Sequence, residues 1–231
     1  FRRNLRGVRV DEELVKEMNS IVEGTMPKLV AEFDKLVGYK VKINSPKCKD
    51  WFKQYYPWIE NMQADTVRDM LAEDPSKVPP FVRRALEIKD LAGSTSIAKV
   101  KTVIDQKYAG RAYALLAYHY AQTKRWAGRG VQIQNFPRPN PKLADSIDFE
   151  MDVPDLVRVV RELRPGLKDP IGFVKNLLRR MWLPEPGNRF YCGDFSKVEP
   201  CTLFWLVGLG PIPKKWYEEM ASEIYSIPVK D

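Results

Sequence analysis

The chain has 231 residues, 44% of them hydrophobic and 11% aromatic, which excludes a disordered segment and allows one or two domains with real cores. Its longest apolar run, Leu203 to Leu209, is broken by Gly208 and is too short to span a membrane. A formal net charge of +8, from 38 Lys+Arg against 30 Asp+Glu, favours a polyanionic partner without choosing one.

No apolar signal-peptide core opens the chain and no initiator methionine is present, so it reads as a piece of something longer. A basic opening, Arg2 to Val10, ends in a short extended piece. Asp11 is a good N-cap with Glu12 and Glu13 in the first turn, and Leu14, Val15, Met18, Ile21 and Val22 follow at helical spacing. Pro27 is expected to interrupt or kink this helix before Leu29, Val30, Phe33, Leu36 and Val37 carry the pattern to Gly38. Ser45 caps the next helix, with Pro46 at its first position. Asp65 starts a short helix to about Leu71. Pro79-Pro80 opens a longer one that continues past Gly93 to about Val103. The first hundred residues therefore read as mostly helical.

Residues Arg111 to Tyr118 read as a strand rather than a helix, because Gly110 precedes them and the tyrosines suit a pleated surface. A polar stretch follows, Thr123 to Pro139. Lys124, Arg125, Arg129 and Arg138 suit phosphates, and two glycines allow close approach of backbone to a ligand. Gln132, Gln134 and Asn135 carry amides that can read the largely sequence-independent acceptors of the minor groove. A polar loop with exposed arginines has the same composition, and the residues alone do not decide between the two. Pro154 to Arg164 reads as a helix, and Asp169-Pro170 starts the next, with Phe173, Val174, Leu177 and Leu178 on one side and a possible basic strip of Lys175, Arg179 and Arg180 that serves equally as a solvated face.

The stretch Arg189 to Glu199 suits a strand that delivers Asp194 to its carboxyl end, before a buried helix with Pro200 in its first turn. A strand-end carboxylate followed by Glu199 is a plausible divalent-metal or phosphate-chemistry site. Spacing alone favours the plainer reading of a strand-end cap and a first-turn helix charge. Cys48, Cys192, Cys201 and the single His119 have no zinc-like spacing, so a reduced, intracellular protein and a structural histidine are expected.

The exact residues add a resemblance. Asp194-Phe195-Ser196-Lys197-Val198-Glu199 resembles the first palm motif of family A DNA polymerases, the group of bacterial DNA polymerase I and many phage replicases. Thr123-Lys124-Arg125 through Gln134-Asn135-Phe136-Pro137 resembles that family's segment running from threonine-glycine-arginine to glutamine-asparagine-aliphatic-proline, in its phage form. Gly7 to Asp11 is similar to the segment entering the polymerase region, Asn44 to Lys47 to a segment within the thumb, and Ser94 to Ser96 to the helix returning toward the palm. Lys124 replaces a glycine, Phe136 an aliphatic residue, and Pro200-Cys201 the usual aliphatic or alanine and arginine after the glutamate.

The resemblance implies an α+β, predominantly helical fold: a thumb-like region over 1–107 and a partial antiparallel-sheet palm over 108–231. It implies template-directed addition of deoxynucleotides to a primer 3′ end in DNA replication, with two magnesium ions. Asp194 and the backbone carbonyl of Phe195 would hold metal, and Glu199 would exclude nucleotides with a 2′-hydroxyl. Arg125 would support catalysis at the primer terminus, and Gln132, Gln134 and Asn135 would contact primer or template, with Lys124, Arg129 and Arg138 on DNA. The family's second catalytic aspartate and its fingers have no counterpart here. A partner supplying them, in cis or as a separate chain, is expected, and these residues alone are expected to be inactive. Primer–template DNA and deoxynucleoside triphosphates are the expected partners, with no membrane, in the cytoplasm of a phage-infected bacterium. A non-catalytic primer–template-binding module and a replication-complex subunit are the alternatives.

Overall fold

Asp11 sets the first long helix. In the computed structural model, which describes residues 2–139, 151–191, 193 and 196–226, its side chain accepts the Leu14 N–H at 2.7 Å. Helix α2 (Glu12–Val37) follows the short helix α1 (Arg2–Arg6) and strand β1 (Val8–Val10), and closes on Gly38 at φ 89°. Leu14, Val15, Met18 and Ile21 enter one core; Phe33 and Val37 enter another. At about 1.5 Å per residue the helix links two separate cores.

The helix runs through Pro27 without interruption, contrary to the break expected there. A proline inside a helix forfeits one hydrogen bond and clashes with the preceding turn. Here Met26 packs against the first core and Leu29 against both, so the residues around the proline are held by burial on each side.

The second core is helical. It gathers the end of α2, α3 (Pro46–Lys53), α4 (Ala64–Ala72) and α5 (Pro80–Ala92) around Phe33, Phe52, Tyr56 and Leu86. Ser45 caps α3 as expected, with Pro46 at its start. Arg84 on α5 grips Glu32 of α2 through two hydrogen bonds, 2.7 and 3.2 Å. The long helix expected to pass Gly93 is instead two. Helix α5 ends at Gly93 and α6 (Thr95–Gln106) begins after an extended Ser94. The break sends α5 into the second core and Ile97, Val100 and Val103 of α6 into the first.

The first core packs α2, α6, α7 (Val153–Leu163) and α8 (Pro170–Leu177) around a small antiparallel sheet. Its strand order is β2 (Lys107–Tyr108), β3 (Arg111–Ala112), β1, β6 (Trp182–Leu183), with Arg9 opposite both Arg111 and Leu183. The fold is α+β and mostly helical. The single strand expected over Arg111 to Tyr118 is divided by Ala114, whose φ is 53°. Asn4 takes up the freed backbone there: its side chain donates to Leu116 O at 2.6 Å and accepts from Leu116 N at 3.0 Å.

Carboxylates tie these elements together. Glu12 receives a hydrogen bond from Lys107, Glu32 from Arg84 and Glu185 from Arg111, and each is thereby held below the usual glutamate range. The unfolded chain therefore binds more protons in acid. Their stabilisation is complete above the ordinary glutamate value of about 4.3 and drains as pH falls through the lower folded values. The urea midpoint should fall over that window, and Glu185→Gln should make the fall shallower. An unchanged slope in that variant would remove Glu185 from the account.

Two compact units divide the chain, Phe1–Gly187 and Asn188–Asp231. The second holds α9 (Val198–Val207) and α10 (Trp216–Tyr225), with Phe204 edge-on to Trp216 at 4.6 Å. Lys197 precedes α9 in the left-handed region at φ 56° and donates to the carbonyls of Pro213 and Lys214. Pro200 sits in the first turn of α9, as expected, but the helix is not buried: Trp205 is 77% exposed and Leu206 68%. Its apolar residues surround the whole cylinder, and Phe204 against Trp216 covers only one side. Of the strand expected from Arg189, the described residues form no part. Residues 189–191 and Gly193 take no strand conformation and have no ladder partner among the described residues.

Candidate nucleic-acid interface

The polar stretch becomes a hairpin followed by a tight turn. Strand β4 (Leu116–Ala117) pairs with β5 (Ala127–Gly128), Leu116 opposite Gly128 and Ala117 opposite Ala127. At the tip Lys124 has φ 59°, and its N–H donates to Ala121 O at 2.8 Å. Lys124 thus occupies a left-handed turn position that favours glycine, at some backbone strain. Arg125 closes the turn, its carbonyl accepting from Ala121 N at 3.3 Å.

Beyond β5, Val131 is fully buried and Phe136 nearly so, and these two residues pin the segment to the first core. Between them Gln132 adopts φ 50° and residues Ile133–Asn135 make one turn of 3₁₀ helix. Asn135 donates its amide to Gln132 Oε1 at 2.9 Å. Gln134 lies across Gly128, where an added Cβ would stand 1.8 Å from its Nε2. The structure therefore brings all three predicted amides onto one turn. Lys124, Arg125, Arg129, Gln134, Asn135 and Arg138 are exposed, and Gln132 is half-buried.

Two cations that sequence reasoning did not place there clamp this turn. Lys99 on α6 donates to Gln132 O at 3.4 Å and to Asn135 O at 3.5 Å, and stands 5.0 Å from the centre of the Phe136 ring. Burial holds its pKa below the ordinary lysine range. Arg179 donates to Phe136 O at 2.7 Å and Pro137 O at 3.0 Å. The expected basic strip is thus spent on the protein: Arg180 reaches Met151 O and Lys175 reaches Asp90 O. Nothing in the helical spacing of Lys99 or Arg179 distinguishes a backbone clamp from a solvated charge.

A cleft of about 590 Å³ adjoins Pro137 and is lined also by Asn44, Arg68, Lys89, Ser94 and Lys175. It brings together the two segments that resemble parts of a thumb. Asn44 donates to Gly93 O at 3.2 Å and accepts from the buried Lys89 ammonium at 2.8 Å. Burial pushes the Lys89 pKa down.

Asp194 and Phe195, on which the metal expectation rests, lie outside the described residues. Glu199 is in the first turn of α9, exposed and engaged with a neighbour. Among the described residues no three His, Cys, Asp or Glu side chains gather to hold an ion, and no helix is long and apolar enough to cross a membrane. The fit of magnesium therefore rests on donor chemistry, since a carboxylate and a backbone carbonyl are the hard oxygens this ion prefers.

No protein-family model matches the chain. It is similar to a protein named DNA polymerase from Bacillus phage SP02, 28% identical over 246 aligned residues that cover 98% of this chain and 35% of that protein. The chain thus spans about a third of the length of that curated relative.

Gly128 offers a direct test of the amide turn. Gly128→Ala should displace the Gln134 side chain without moving backbone, because the obstructing atoms are the end of a flexible chain. A turn that reads duplex through Gln134 should then lose about 2- to 10-fold in affinity, the worth of one hydrogen bond, with the melting temperature nearly unchanged. Unaltered affinity in fluorescence anisotropy would exclude Gln134 from the contact.

Proposed function

We propose that the chain is the thumb and first part of the palm of a phage-type DNA polymerase resembling family A, extending a primer 3′ end on a template. Residues 1–107 would be the thumb with its entry segment, and 108–231 the partial palm running toward the fingers. The observation that carries the reading is an amide-bearing turn, fixed by Lys99 and Arg179, within a chain similar along 98% of its length to a phage DNA polymerase.

The turn presents its donors and acceptors on a rigid backbone, a requirement for reading pair geometry rather than base identity. Gln134 and Asn135 face solvent where a minor groove can reach them, and Arg125 and Arg129 come from the adjoining hairpin. Lys124 and Arg138 add sequence-independent attraction to phosphates. Glu199 would stand beside the sugar of the incoming deoxynucleotide. Asp194 and the Phe195 carbonyl would hold magnesium, which would supply charge neutralisation at the phosphoryl group and a more acidic primer hydroxyl. The fingers and the remaining palm would come from the same polypeptide or from a second chain.

Primer extension by the gene product that contains these residues, with deoxynucleotides, magnesium and any cognate replication proteins, tests this directly. Extension dependent on Arg125 is expected, with duplex affinity that falls as salt rises. Salt-sensitive duplex binding with no extension under any of these conditions would leave a non-catalytic binding module.

A further inference from the structure

The β4–β5 hairpin carries rings that neither core uses. Tyr118 and Trp126 lie 5.0 Å apart between centroids, yet are 66% and 51% exposed. Tyr118 also stacks on His119 at 4.1 Å with 21° between planes, and the neighbouring Tyr120 is 79% exposed. The register explains the pairing, because Ala117 opposite Ala127 makes Tyr118 and Trp126 the next cross-strand pair. His119 at φ 53° and Lys124 at φ 59° hold the tip in left-handed backbone, which costs free energy at non-glycine residues. Large rings left in water on a strained hairpin, with Lys124 and Arg129 exposed on the same hairpin, have the composition of a site for a flat, negatively charged partner.

We infer that this hairpin is a stacking platform for unpaired nucleotides of single-stranded DNA, with Tyr118 and Trp126 taking the bases and Lys124 and Arg129 the phosphates. A duplex hides its base faces between neighbouring pairs, so rings of this kind reward only a strand whose bases are free to stack. The cations reject a neutral apolar partner and give the strand its attraction. The choice of DNA rests on the proposed function. The choice of an unpaired strand rests on the rings, and goes beyond it: the amide turn with Arg125 would hold duplex while the Tyr118 and Trp126 rings hold a single-stranded segment.

Fluorescence anisotropy with three labelled probes tests this: oligo(dT), an abasic strand of the same length, and a blunt duplex. Tyr118→Ala and Trp126→Ala should each weaken oligo(dT) binding about 5- to 100-fold and leave the abasic strand and the duplex essentially unchanged. Tyr118→Phe and Trp126→Phe should retain affinity, which separates lost stacking from lost folding. Tryptophan emission should be quenched by oligo(dT) in the native protein and less so in Trp126→Phe. Equal losses on the abasic strand, or undiminished oligo(dT) affinity in both alanine variants, would overturn the platform. So would a concentration-dependent dimer that Trp126→Ala dissolves, since the rings would then cover a second copy. Duplex bound without oligo(dT) sinks this inference and spares the polymerase reading; oligo(dT) bound through the rings without duplex does the reverse. Binding of no probe sinks both.

Discussion

Asp194→Ala should reduce primer extension by more than about 10³-fold in the polypeptide that contains these residues. A carboxylate that holds a catalytic divalent ion is worth several kcal/mol of transition-state stabilisation, and each 1.36 kcal/mol is a factor of ten. Duplex affinity should change little, because the contacts assigned to DNA lie on the hairpin and the amide turn. Glu199→Ala is the contrasting variant. On the proposed assignment of Glu199 to the sugar and Asp194 to the metal, it should retain extension while admitting ribonucleotides. Single-turnover extension with matched deoxy- and ribonucleotides reads both effects. Full activity in Asp194→Ala would remove this residue from the chemistry and with it the family resemblance as a guide to mechanism.

Gly7→Ala should destabilise the first unit by about 2–5 kcal/mol. Gly7 enters β1 at φ 65°, and an added Cβ would stand 2.8 Å from Ala112 O and 2.9 Å from the Tyr113 ring. The carbonyl belongs to the residue that pairs with Val8, so it cannot retreat without opening the register between β1 and β3. Gly38→Ala is the control. Its φ is 89° but nothing lies within 4 Å of the added atom, so only the backbone cost applies. Urea denaturation of the two variants separates conformational strain from the clash. Equal losses would mean that the sheet yields at Gly7.

Much of the helical content was legible because its signals are local. Asp11, Ser45 and Asp169 are followed three residues later by the N–H that each one accepts, and apolar residues at helical spacing then find a core. The sites where sequence reasoning fell short are governed by partners distant in the chain. Pro27 is a breaker only if nothing compensates for it, and the packing of Met26 and Leu29 compensates. Gly93 looks like a tolerated glycine within one helix. Yet a Cβ there would lie 2.5 Å from Lys89 O and 2.7 Å from Lys89 Nζ, and the chain turns into another core just after it. Apolar Leu203 to Val207 reads as interior by composition, but composition cannot supply the elements needed to cover it.

By itself the sequence determined the capped helix starts at Asp11, Ser45 and Asp169, the positive charge, and the presence of Arg125, Gln132, Gln134 and Asn135 within one short interval. Tertiary structure alone decided that Lys99 and Arg179 would hold that interval by its carbonyls, and that Asn44 would join Lys89 to the Gly93 turn. It also decided that the hairpin rings would remain outside both cores. The physical reason is range. Caps and helical periodicity act within one or two turns and are written in consecutive residues. A cation's choice between water, phosphate and a backbone carbonyl depends on which carbonyl the fold brings within about 3 Å of it.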